Sequence, residues 1–324
     1  MEHKSRFTRS HSWINHLWGI ILAGGDGIRL QHFVQTQFGV SRPKQYCALI
    51  GKRSMLRHTI DRVKHLIPDT HLLTTIGNHH LSYAIDDLQD RMPETVIVQP
   101  LNRETGPGIL LPLLHIHHAD PEAIVALFPS DHFILEEDRY MEHVRAAIDF
   151  VSSQRDSLVM LGARPTTLQQ GYGWIEQGNI IAAEGGMNMF SVQKFWEKPD
   201  GQLTRYLHEK KCLWNTMILI GTSSMLTGLF KEFMEEIFVP FHHIWTAIET
   251  PQEFEITEKV FATIPSVNFS HTILERIPER LSVLPMKGIY WNDWGDESRV
   301  RADIDYFVQN HGTFSDIESL IETT

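Results

Sequence analysis

The sequence predicts an α/β protein built on a mainly parallel, twisted sheet with helices on both faces. Three observations predict it. Apolar runs of strand length alternate with segments of helical spacing from about residue 17 to residue 161. Glycine or proline stops the first and fourth of these runs. The composition, 42% hydrophobic and 21% charged, is apolar enough to bury a large core.

The elements follow in order. Leu17 to Ala23 (LWGIILA) is a buried strand, ended by Gly24-Gly25. Ser54 to Ile67 has helical spacing, with Ser54 as N-cap. His71 to Ile76 is a second strand, Leu81 to Arg91 a helix, Thr95 to Val98 a third strand, and Gly108 to His118 a helix. Ala123 to Phe128 (AIVALF) is a strand stopped by Pro129, followed by the helix Tyr140 to Val151 and the strand Ser157 to Leu161. Strands alternating with helices make parallel neighbours covered on both faces, and such sheets bind ligands beyond the carboxyl ends of their strands.

After Arg164 the pattern changes. Gly171 to Gly178 is turn-rich. Phe190 to Trp196 and Leu213 to Ile220 are strands, with the helix Gln202 to Lys210 between them. Met225 to Glu275 is helical, broken near Pro240, Pro251 and Pro265. Leu281 to Leu284 is a last strand, and Glu297 to Gln309 and Ser315 to Glu322 are closing helices. No internal repeat or low-complexity stretch interrupts the chain. Residues 1–18 form a polar, basic N-terminal extension and 19–324 one continuous domain.

Bulk properties exclude several function classes. The net charge of −11 argues against a nucleic-acid partner, which needs a basic face. Cys47 and Cys212, far apart and without CxxC spacing, give neither a disulfide framework nor a zinc motif. The first 18 residues lack the apolar core of a signal peptide, and no apolar run reaches the roughly 20 residues of a membrane helix. A cytoplasmic protein without a membrane partner is expected. The 19 histidines show no HExxH or similar spacing, and the pairs His79-His80, His117-His118 and His242-His243 read as surface or packing residues.

The most informative segment is Leu22 to Leu30 (LAGGDGIRL), directly after the first strand. Its three glycines let backbone N–H groups approach a phosphate, and Arg29 adds a planar cation suited to phosphate oxygens. A dinucleotide fingerprint fails because Leu30 stands where a third glycine is needed, and a P-loop fails for want of Gly-Lys-Ser/Thr. Taken alone, the loop is a strand-to-helix turn. Arg29 and the following Arg42-Pro43-Lys44-Gln45 make it more specific.

LAGGDGIRL followed by RPKQY resembles the signature of the sugar-nucleotide pyrophosphorylases, and within them the mannose-1-phosphate guanylyltransferase branch, whose pattern is LAGGxGTRL…PKQ. The resemblance implies a Rossmann-like, GT-A-like nucleotidyltransferase domain, with a nucleotide-binding portion at about 19–165, a sugar-binding portion at about 166–300 and closing helices at about 297–324. It implies that Leu22, Ala23, Gly24, Gly25, Asp26, Gly27 and Arg29 wrap the nucleotide, with Arg29 and Lys44 on the phosphates that leave as pyrophosphate.

Further segments match in family order. PLNRETGP (100–107) is similar to P-x-x-R-N-T-A-P, which implies nucleotide contacts from Arg103 and Thr105; Glu104 and Gly106 depart from it. FPSDH (128–132) resembles the family's PSDH, implying Pro129 and Ser130 at the nucleotide and Asp131 on a catalytic Mg²⁺. GYGWIE (171–176) matches GYGYIE and WEKP (196–199) matches V-E-K-P. These imply a sugar site formed by Gly171, Tyr172, Gly173, Glu197 and Lys198, with Lys198 on the sugar phosphate. WNTM (214–217) resembles WNSGM without its glycine, giving Asn215 a sugar hydroxyl. WNDWG (291–295) resembles W-S-D-x-G, giving Asp293 as second Mg²⁺ ligand. Ile28 replaces the family's Thr, and Ser270 in NFSHTILE replaces an Asp. Members often continue into a left-handed β-helix. Only about 24 residues follow Val300, so that domain is expected to be absent.

The expected reaction joins a sugar 1-phosphate to an NTP, with GTP and mannose 1-phosphate as the leading pair. A sugar phosphate is already an anionic nucleophile and needs no general base. The task is to hold two polyanions together and to stabilise the leaving pyrophosphate. Two carboxylates for Mg²⁺ (Asp131, Asp293), three cations (Arg29, Lys44, Lys198) and a glycine loop suit it. The departures keep another NTP or hexose phosphate open. A non-catalytic nucleotide-sugar sensor is the alternative from another class. The oligomeric state stays open, a homodimer being one option.

Overall fold

A computed structural model describes residues 13–39 and 41–311; the expected helix Ser315 to Glu322 and residues 1–12 of the extension lie outside them. A nine-stranded sheet organises the described chain. In chain order its strands are β1 (Leu17–Ala23), β2 (Leu72–Gly77), β3 (Val96–Gln99) and β4 (Ile124–Pro129). Past the two-residue β5 (Phe133–Ile134) come β6 (Leu158–Ala163), β7 (Gly173–Glu184), β8 (Met187–Glu197), β9 (Leu213–Thr222) and β10 (Leu281–Pro285). β11 (Trp291–Asn292) pairs with β5 in a separate two-stranded sheet.

The spatial order is β3-β2-β1-β4-β9-β6-β10-β8-β7. β1 lies parallel to both β2 and β4, β2 parallel to β3, and β6 parallel to β10. β9 is antiparallel to β4 and β6, and β8 antiparallel to β10 and β7. Only β8 and β9 therefore oppose the common direction.

The sheet separates two apolar layers. Along β4, Ile124, Ala126 and Phe128 face one layer and Val125 and Leu127 the other, as the two-residue repeat of a strand requires. The first layer includes Leu56, Ile60 and Val63 of the helix Met55–Lys64 and Val144, Ala147 and Ile148 of the helix Glu137–Ser153. The second includes the helices Thr105–Ala119, Ser223–Phe233 and Glu235–Ala247. Ser54 caps the helix Met55–Lys64, accepting from the Arg57 N–H, as expected.

Two expectations need correction, and two elements come in addition. Gly171 to Gly178 is not only turn: from Gly173 it is the long strand β7, whose register against β8 shifts at several points. Glycines that read as turns locally are tolerated at such irregularities. Pro240 does not break a helix but lies inside Glu235–Ala247, where the buried face Ile237, Phe241, Ile244 continues past it; the break falls at Met234. The helix Gln31–Phe38 and the β5–β11 pair were not expected.

Candidate active site

The carboxyl ends of β1, β2, β3 and β4 lie side by side on one rim, the place where a parallel sheet binds ligands. The chain leaves β1 through Gly24-Gly25-Asp26-Gly27 and re-enters helix at Ile28–Leu30. Gly27 has φ 59°, a left-handed conformation, and a Cβ there would come 3.2 Å from the Lys44 backbone nitrogen. The RPKQY segment clamps this loop. Gln45 Nε2 donates to the carbonyls of Ala23 (3.0 Å) and Gly25 (2.7 Å), and the Tyr46 hydroxyl donates to Ala23 (2.9 Å). From β3, Gln99 Nε2 reaches the Gly24 carbonyl at 3.4 Å.

Lys44 is the centre of the site. Its side chain is 7% exposed, and its Nζ lies 3.0 Å from Asp131 Oδ2. Nζ also donates to the backbone carbonyls of Asp293 and Trp294. The β5–β11 pair brings the two aspartates together: Asn292 sits opposite Phe133, which places Asp293 and Asp131 at the adjoining end of the pair. Two-residue strands carry no periodicity, so this device was invisible in the sequence.

Asp293 accepts from the Tyr172 hydroxyl, from Arg299 Nη1 (2.7 Å) and from the Gly295 N–H (3.0 Å). The two carboxyls titrate apart. Burial and the charge of Asp131 push Asp293 up to about 6 against the opposing pull of Lys44. Burial also opposes ionisation of Asp131, but the charges of Lys44 and His132 and the Lys44 hydrogen bond outweigh it and hold that carboxyl below its usual range. Two hard oxygen donors, one of them short of positive charge, fit Mg²⁺, which takes few protein ligands and fills its shell with phosphate and water oxygens.

A cavity of about 390 Å³ opens over these groups. Leu22, Gly24, Gly25, Arg29, Lys44 and Thr105 line it, with Pro129, Asp131 and Asp293 on another wall. Arg29 lies close to Arg299; burial and the Arg29 charge push the Arg299 guanidinium down to about 10.

The sugar motifs converge on a neighbouring corner. Gly173 pairs with Glu197 across β7–β8, and Trp174 with Trp214 across β7–β9. A Cβ on Gly173 would come 3.0 Å from Glu197 Oε2 and 3.1 Å from Asn215 Cβ, so only glycine permits this approach. Burial raises the Glu197 carboxyl despite Lys198, whose Nζ is 3.4 Å away. Gly171 lies near Arg29, and Tyr172 packs its ring edge-on against Trp214.

The missing glycine of WNTM has a structural counterpart. Met217 has φ 56°, a left-handed conformation usual for glycine, and its side chain lines the cavity. Asn215 Oδ1 accepts from the Met217 N–H (3.0 Å), and the Met217 sulfur lies 3.4 Å from Asn215 Nδ2 and 3.1 Å from Ser270 Oγ. Ser270, the residue replacing Asp, therefore faces a thioether.

Several assigned residues do other work. Arg103 points away from the cavity: Nε donates to the Phe261 carbonyl (2.9 Å) and Nη2 to Ala262 (3.3 Å), a cation on the carboxyl end of the helix Glu253–Thr263. Ser130 donates its hydroxyl to the Leu22 carbonyl (2.8 Å), tying β4 to β1. Asp26 accepts from Asn102 Nδ2 (2.8 Å) and contacts His79 Nε2 (2.7 Å) instead of lining the cavity. In the neighbouring corner Lys198 is 58% exposed while Glu197 is largely covered. Sequence reasoning singled out Gln45 only as part of the RPKQY segment, and missed Gln99 and Arg299. Gln99 was findable as a polar residue at a strand's carboxyl end; Arg299, on the helix Glu297–His311, carried no signal.

Among the described residues no helix is long and apolar enough to cross a membrane. A sequence profile of the nucleotidyl transferase family matches residues 18–299. The chain is 30% identical over 288 residues to a mannose-1-phosphate guanylyltransferase of Salmonella muenchen, covering 86% of this chain and 58% of the relative. It is 26% identical over 287 residues to the Escherichia coli (strain K12) enzyme of that name, covering 87% and 58%. The chain thus spans less than two thirds of these relatives. Among solved structures, one described as a mannose-1-phosphate geranyltransferase from Thermus thermophilus superposes with a TM-score of 0.71 at 22% identity, covering 86% of this chain and 76% of that one, a likeness of fold.

Proposed function

Because this chain belongs to the nucleotidyl transferase family, we propose that it joins a sugar 1-phosphate to a nucleoside triphosphate and releases pyrophosphate, with GTP and mannose 1-phosphate as the pair. The names of the relatives support the pair. The observation that carries the chemistry is the buried Lys44, paired with Asp131 and bonded to the backbone of Asp293 beside the glycine loop.

A phosphate oxygen of the sugar 1-phosphate attacks the α-phosphorus of the NTP in line. The new P–O bond forms as the bond to the β-phosphate bridging oxygen breaks, and the electron pair leaves with pyrophosphate. Lys44 and Arg29 supply fixed positive charge on the cavity wall, and the glycine loop supplies backbone N–H groups. Asp131 and Asp293 would hold Mg²⁺, which supplies charge neutralisation for the phosphates when bound. Tyr172 and Arg299 orient the Asp293 carboxylate from behind. Every residue in this account comes from one chain. The two cysteines, unpaired and buried, suit a reducing cytoplasm.

A second reading keeps the reaction and changes the hexose. It is favoured by Met217 and Ser270, which fill the sugar corner with a thioether and a short hydroxyl. The test is pyrophosphate release from the pure protein with Mg²⁺, the four common NTPs and a panel of hexose 1-phosphates. Release with GTP and mannose 1-phosphate alone upholds the first reading. Release with another hexose upholds the second. No release from any pair, with nucleotide still bound, overturns both in favour of a binding protein.

A further inference from the structure

Beside the glycine loop, three side chains converge that the proposed reaction does not use. Asp26 stands between Gly25 and Gly27, while His79 and His80 lie on the short helical turn Asn78–His80 that follows β2. Their ligand atoms all lie within 4.8 Å of one another. His79 Nε2 is 2.7 Å and His80 Nε2 3.4 Å from the same Asp26 oxygen, Oδ1.

Several features hold this cluster together. The His80 side chain is 3% exposed, and among the described residues its Nδ1 is buried without a hydrogen-bond partner. Adjacent residues usually direct their side chains apart, yet the two imidazole rings lie 3.9 Å centroid to centroid. Gly77 provides the space: a Cβ there would come 3.0 Å from the His79 ring and 3.3 Å from His80 Nδ1. Asn102 Nδ2 holds Asp26 Oδ2 at 2.8 Å, leaving Oδ1 turned to the histidines, as groups behind a metal ligand do.

Two imidazole nitrogens and one carboxylate oxygen make a donor set for borderline divalent ions such as Zn²⁺, Co²⁺ or Ni²⁺. Mg²⁺ prefers oxygen alone. We propose that Asp26, His79 and His80 bind one divalent transition-metal ion, which ties the glycine loop to the turn after β2. Three protein ligands leave coordination positions for water or for a phosphate oxygen. His79 lies at the surface and His80 is packed inside, as the reading of this pair as surface or packing residues expects, and both also face one carboxylate. The site stands on its own geometry, and only its influence on the nucleotide loop rests on the proposed function.

The test uses the full chain stripped of metal by chelation and titrated with Co²⁺. Visible absorption distinguishes nitrogen-containing coordination of low symmetry from oxygen-only octahedral coordination. Asp131→Asn removes the competing carboxylate pair. In that variant one Co²⁺ per chain should still bind at micromolar concentration with an intense visible band, and millimolar Mg²⁺ should not displace it. Adding His79→Ala, an exposed position that does not endanger folding, should weaken binding at least tenfold. It should also lower the rise in melting temperature that the ion gives by binding the native state. Absence of stoichiometric binding in Asp131→Asn, or equal binding after His79→Ala, overturns the proposal. Neither readout needs turnover, so the site and the proposed activity fail separately.

Discussion

Around Lys44 the nucleotide side of the cavity is fixed by side chains donating to backbone carbonyls: Gln45 to Ala23 and Gly25, Tyr46 to Ala23, Ser130 to Leu22. Around Asn215 the sugar side is fixed by strained backbone. Among the described non-glycine residues with positive φ, Lys198, Met217 and Trp294 lie in the sugar and Asp293 motifs, and Glu104 alone lies on the nucleotide side. Such conformations cost about 1–3 kcal/mol each and persist only where packing over-determines them. The first design fixes the backbone of the glycine loop itself through its carbonyls. The second holds Asn215, Met217 and Ser270 in mutual contact, at two of the positions where the chain departs from the family pattern.

The largest effect should come from the shared centre. Asp131→Asn removes the carboxylate paired with Lys44 and a Mg²⁺ donor, and should lower kcat for pyrophosphate release by about 10³-fold or more. A loss below tenfold would remove Asp131 from the metal site and break the picture of one centre serving both sides.

Gly27→Ala probes the nucleotide side. A left-handed alanine and a Cβ 3.2 Å from the Lys44 nitrogen should cost about 1–2 kcal/mol of stability and raise KM for the NTP, leaving KM for the sugar phosphate nearly unchanged. Urea unfolding and two-substrate kinetics measure both. Met217→Gly is the mirror experiment. It releases backbone strain of about 1 kcal/mol and empties space between Asn215 and Ser270, so the sugar-phosphate KM and the choice of hexose should change while the NTP KM does not. If the two variants shift the same KM, the division into two sides fails.

Acid should act on the nucleotide side and on the centre around Asp131, leaving the sugar side aside. Burial pushes His80 and His132 down to about 4, below the ordinary 6.5, so the folded state binds fewer protons than the unfolded chain. Their contribution to stability is fully present above about pH 6.5 and is lost as pH falls toward 4. Urea midpoints of the metal-free protein should fall over that window, and His80→Gln should flatten the fall. The smallest effect belongs to Ser54→Ala, which removes an N-cap remote from both sides and should cost about 1 kcal/mol with kinetics unchanged.

Strands β1 to β4 and the longer helices between them were legible in the amino-acid order, because a buried parallel strand needs an apolar run and a covering helix needs its own period; the helix Gln31–Phe38 was not. The glycine loop after β1 was legible as a phosphate-approach turn from its own residues, whereas Lys44, Asp131 and Asp293 were named through the resemblance of their segments to the family pattern. What each of these residues touches is set by the fold. That Lys44 is buried against Asp131, that Tyr172 holds Asp293, that Arg103 serves a helix end, and that Met217 takes the conformation of an absent glycine beside Ser270 all depend on contacts between residues far apart in the chain. β7 was hidden for the same reason: its glycines read as turns until β8 and β9 pair with it. Local pattern records which side a residue faces; only the folded chain sets what it faces.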